Sequence, residues 1–209
     1  IKEGLLHATR TPVLMSIFVI DLVAMIFGMP RAVFPALARE TFDLGAAGAG
    51  ILYSAVAVGA FLGAITTGWV TRITRHGVAV LASVTAWGVA IALAGLATFS
   101  FVLTVVFLAV AGAADVVSAV FRGTILLEST PDHLRGRMNA LNIMVVTGGP
   151  RLGDLEAGVA AGLVGVGPSI VLGGVACLLG TAAVGWAFPV LRNYIPPRLR
   201  PGTSAPSAP

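Results

Sequence analysis

Charge is what this sequence has least of. Lys, Arg, Asp and Glu make up 11% of its 209 residues, where a soluble domain carries roughly a quarter. A surface that poor in charge cannot be wetted all round, so a water-soluble globule is excluded. Cysteine is nearly missing too. Cys177 stands alone inside an apolar run, which excludes a disulfide framework and a thiol-rich metal site. Thirteen Lys and Arg face nine Asp and Glu, and that excess is too small to argue for nucleic acid as a partner. There is no phosphate loop, nucleophile elbow or zinc signature. An ATP-driven pump or a membrane hydrolase therefore has no support, and neither an enzyme nor a cofactor is expected. His7, His76 and His133 are widely separated and make no metal set. The chain begins at Ile1 without an initiator Met or a signal-peptide pattern, which reads as an internal start.

What the sequence has is apolar length. The apolar set makes up 57% of the chain and mean hydropathy is +0.96. About 20 mostly apolar residues cross a bilayer as a helix, and six stretches qualify: 13–34, 50–70, 78–97, 101–127, 141–164 and 169–191. None shows the alternation of a membrane β-strand. The expected fold is all-α, with a bundle over 13–191, a linker over 1–12 and a Pro-rich, disordered tail over 192–209. The one long connection runs over 29–48.

Orientation follows from the cations. Six spans put both ends on one side, where Lys2, Arg10, Arg72, Arg75, Arg135, Arg137, Arg192, Arg198 and Arg200 all fall. The opposite loops hold Arg31 and Arg39. The positive-inside rule makes the first side cytoplasmic. Gly59 with Gly63, and Gly158 with Gly162, have the four-residue spacing that lets membrane helices pack closely.

Ionisable residues inside spans are costly and therefore candidates for function. Asp21 lies near mid-depth of the first span. In the fourth, Asp115 and Arg122 are two turns apart on one face, with Ser118 between them. They pair directly only if stretched, so a neighbouring helix or water is the expected bridge. The fifth span contains Gly148-Gly149-Pro150, a sequence that predicts a kink or unwound point. Arg151 and Asp154 follow at the i, i+3 spacing of an ion pair, while Glu156 points elsewhere. Each set reads either as a structural lock or as substrate and proton machinery.

Three strings carry a resemblance: GMPRAVFPALA over 28–38, ESTPDHLRGRMNALN over 128–142 and GGPRLGDLEAG over 148–158. With six spans in this order, residues 1–195 resemble the carboxy-terminal half of a major facilitator superfamily transporter. The similarity is to the enterobactin-exporter-like branch, which includes drug efflux proteins. The resemblance implies a twelve-helix fold of two halves, each of 3+3 inverted repeats, working by alternating access with the amino-terminal half as partner. The 68–77 segment, with Gly68, Arg72 and Arg75, resembles the superfamily's cytoplasmic gating motif, but the acidic residue expected after the glycine is absent. Arg135 and Arg137 belong to the same cytoplasmic face and can meet lipid phosphates. The resulting expectation is a multi-pass protein of the bacterial inner membrane. It would export a siderophore or drug-like molecule in exchange for protons, through Asp21, Asp115, Ser118, Arg122, Arg151 and Asp154. The alternative is a non-transporting scaffold, or a binding half that needs a partner half.

Overall fold

A computed structural model describes residues 2–197; the rest of the expected tail, 198–209, lies outside the described residues. Nine α-helices appear in it: α1 Lys2–Arg10, α2 Pro12–Phe27, α3 Phe34–Ala36, α4 Gly45–Ile65, α5 His76–Leu96, α6 Phe101–Glu128, α7 Arg135–Val164, α8 Val166–Ala187 and α9 Pro189–Arg192. Local chemistry sets the ends. Pro12 occupies the first turn of α2, where its missing N–H costs nothing. Ser100 caps α6 by accepting from the Leu103 N–H. Gly165 alone separates α7 from α8, and its φ of 90° is a conformation that other residues adopt only under strain.

Six helices are long, and five of them are long and apolar enough to cross a membrane; the first of these spans reaches from Pro12 to Thr41 through short helical turns. The sixth, α7, has 30 residues, about 45 Å of helix, but carries Arg151, Asp154 and Glu156 within six positions. Among the described residues the chain is thus an all-helical, multi-pass membrane protein with five apolar spans, and α7 has the length of a span without the composition.

Two expectations are corrected here. Residues 29–48 are not an open loop. They wind into a 3₁₀ turn, α3 and a π-helical turn over Leu37–Thr41. Val33, Phe34, Leu37 and Ala38 recur at helical spacing and are buried, and the Phe34 and Tyr53 rings meet at 5.2 Å. Of the kink or unwound point expected at Gly148, Gly149 and Pro150, the unwinding is not there, since the helix runs through all three. Packing supplies the reason. Gly149 and Gly153 lie against Met25 of α2, and a neighbour so close holds the turn that proline weakens.

Helix pairing is set by small residues. A Cβ on Gly59 would collide with the Ala109 carbonyl, and one on Gly112 with the Val56 carbonyl, so α4 and α6 touch backbone to backbone. Gly63 extends that seam against Ala113. Gly158 and Gly162, by contrast, face open space and make no such seam in the described chain. Helix α5 packs on α6 and α8, and α2 packs on α7 and α8. Exchanging α2, α4 and α5 for α6, α7 and α8 reproduces these five pairings, while the α7–α8 contact has no comparable α4–α5 counterpart.

At one end of the bundle, α1 lies over α7, with Gly4 beside Arg137 and Leu141, and Gly77 abuts Leu191. The Ser129 hydroxyl donates to the Tyr194 oxygen, and the Tyr194 hydroxyl to Glu128, both at 3.4 Å. Arg72, Arg75, Arg135, Arg137 and Arg192 are thereby gathered at one end. At the other, Phe42 stacks edge-on against Phe101 at 5.1 Å and Gly167 lies beside Thr98.

Candidate functional site

Arg122 is the centre of the site. It sits on α6 with its side chain 10% exposed, and it is ion-paired to Asp21 of α2, whose side chain is 5% exposed. Its other nitrogen, Nη2, stands 3.7 Å from Asp115 Oδ1 on its own helix. The neighbouring-helix bridge expected for Arg122 is Asp21, and the direct approach to Asp115 exists as well, at the stretched distance that two helical turns impose. The arrangement places one cation between two carboxylates at membrane depth. With every group ionised the set carries a single negative charge, and one added proton makes it neutral.

The two carboxylates are not equivalent. Asp21 is sealed between helices, whereas the Asp115 side chain is 32% exposed. Asp115 also lines a cavity of about 20 Å³ with Arg31, Trp87 and Gly112, room for about one water. Through it Asp115 faces the end of the bundle that holds Arg31. Tyr53 donates to the Arg31 carbonyl at 3.0 Å and so ties that rim to α4. Ser118 lies between the charges along α6, and its buried hydroxyl oxygen has no hydrogen-bond partner among the described residues.

The α7 charges are arranged differently from expectation. Arg151 is exposed, Asp154 is half-buried with Oδ1 enclosed and unpartnered, and no ion pair joins them. The i, i+3 spacing permits such a pair, but its contribution of about 0.2–0.5 kcal/mol does not compel it. The structure therefore brings together Asp21, Asp115, Ser118 and Arg122, and leaves Arg151 and Asp154 as separate groups.

At the Arg-rich end, Gly68 lies in the 3₁₀ turn Thr67–Arg72, and Arg72 and Arg75 are exposed. Arg135 pairs with Asp132 at 3.0 Å, and Arg137 pairs with Glu3 of α1. Arg137 therefore fastens α1 to α7. Trp87 and Tyr53 carry no sequence signal, and Arg31 reads only as a loop cation, because nothing in their local pattern shows which helices meet.

A family profile described as transmembrane secretion effector matches residues 1–194. The enterobactin exporter EntS of Escherichia coli O1:K1 / APEC is 38% identical over 111 residues, which is 53% of this chain and 26% of that protein. The enterobactin exporter EntS of Shigella boydii serotype 18 matches to the same extent. The chain spans about a quarter of the length of these curated relatives. No solved structure matches.

Proposed function

The chain belongs to the transmembrane secretion effector family, transporters of the major facilitator type and not enzymes, and from that premise we propose that it exports a small organic molecule in exchange for protons. The observation that carries this reading is the triad: one buried arginine serving two aspartates from two helices. A scaffold could be held by glycine seams alone and has no reason to bury the Arg122–Asp21 pair with a second carboxylate beside it, since a charge inside a span is costly. In this reading Asp115, the wetted carboxylate, takes the coupling proton, and Asp21 is the fixed partner that keeps Arg122 in place. Protonating Asp115 releases its claim on Arg122, and that change biases inward-open against outward-open states. The exchange symmetry of the helix pairings supports 3+3 inverted repeats, and short connections that reverse direction support their inversion.

The substrate is of the siderophore or drug-like class, in keeping with the name of the EntS relatives. The membrane is the bacterial inner membrane, with the Arg-rich end cytoplasmic. Arg151, exposed on a helix too polar for lipid, favours a second six-helix half as partner across α7.

The test is efflux from everted vesicles over a panel of siderophores and drugs. Asp115→Asn should abolish the dependence on a pH gradient while energy-independent exchange continues. Gradient-driven efflux at the unsubstituted rate would remove Asp115 from the mechanism.

A further inference from the structure

We propose that the cleft between α6 and α7 at the Arg-rich end holds a binding site for an oxygen-rich organic anion, formed by Arg135, Asn139 and Asn142. Its role as the place where cargo enters rests on the transport reading above, whereas the binding does not.

A cavity of about 280 Å³ opens between the two helices. On α7 it is lined by Arg135, Asn139 and Asn142, which share one face at i, i+4 and i+7. Neither carboxamide is hydrogen-bonded within the described chain. Beside a guanidinium at a cavity mouth, two amides on one face of α7 form a ready donor set. The wall opposite is flat: a Cβ on Gly123 of α6 would meet nothing within 4 Å. Thr130 contributes no donor, because its hydroxyl is spent on the Leu126 carbonyl at 2.6 Å.

The chemistry of the lining names the ligand class. Arg135 supplies forked donors for one anionic group, and the amides both donate and accept, which suits neighbouring hydroxyl or carbonyl oxygens. Leu126, Leu127 and Met138 complete the walls and favour an aromatic or short aliphatic body over bare phosphate. Asp132 holds Arg135 at 3.0 Å, but both side chains are largely exposed, at 88% and 53%. Such a pair is weak in water, so Asp132 acts as a displaceable competitor for the ligand.

Salicylate and its uncharged amide, salicylamide, probe the site, with binding measured calorimetrically on the protein in lipid nanodiscs. Salicylate should bind, Arg135→Gln should weaken it about tenfold, and Asp132→Asn should strengthen it severalfold. Salicylamide should not distinguish Arg135→Gln from the parent protein. Asn139→Leu with Asn142→Leu should also weaken salicylate binding; if that variant fails to fold, the two exposed-residue variants still decide. Salicylate affinity indifferent to both Arg135→Gln and Asp132→Asn would overturn the site. So would an Arg135-dependent site that takes short-chain phosphatidylglycerol and not salicylate. If salicylate binding follows Arg135 while Asp115→Asn leaves gradient-driven efflux intact, the proton mechanism fails and this site stands. The opposite pair of results removes this site alone.

Discussion

Arg122 answers to two carboxylates, and its substitutions should reveal which of them depends on it. Asp21 is the more enclosed, so Arg122→Met leaves a sealed charge without a partner, at a cost of about 3–5 kcal/mol. Thermal unfolding in detergent should show a large fall in Tm for Arg122→Met and recovery of most of it in Arg122→Met with Asp21→Asn. No recovery would mean that Asp21 is not the group Arg122 neutralises. Part of this geometry was legible: seven residues are about 700° of helix, so Asp115 and Arg122 had to share a face. Asp21 could be singled out as a buried charge, but its partner depends on α2 packing beside α6, and no local pattern encodes that. The i, i+3 spacing of Arg151 and Asp154 allows a pair that the structure does not form, because spacing shows what can meet and not what does.

Among the elements, α6 was read to within a residue at each end, since an unbroken apolar run bounded by Ser100 and a charged turn leaves little choice. The 29–48 segment reads only as a long connection because its prolines and charges hide a buried stripe at helical spacing. In α7 the proline dominated the reading, while the packing that keeps the helix intact comes from Met25 on another helix. The two glycine pairs look alike in sequence, yet only Gly59 and Gly63 are pressed against a neighbour. Gly59→Val should therefore abolish recovery of a monodisperse protein on size-exclusion chromatography, with Gly158→Val leaving the elution profile unchanged. Equal tolerance at both positions would contradict the α4–α6 seam.

For the molecule as a whole, the cation bias predicts which end faces the cytoplasm, and the fold independently gathers Arg72, Arg75, Arg135, Arg137 and Arg192 at one end. Cysteines introduced at Ala47 and Gly167, on a background with Cys177 replaced, should react with an impermeant thiol reagent added to intact cells. Cysteines at Thr74 and His133 should react only after permeabilisation. The reverse pattern would invert the topology and, with it, the side from which Asp115 is wetted.

That wetting is the core of the account, and pH-difference infrared spectroscopy of the protein in lipid reads it without any substrate. The acid-minus-alkaline spectrum should contain a carboxyl band from a protonated aspartate. The band should vanish in Asp115→Asn and persist in Asp154→Asn and Glu156→Gln. Its survival in Asp115→Asn, or its loss in Asp154→Asn, would contradict the assignment of the coupling proton to Asp115.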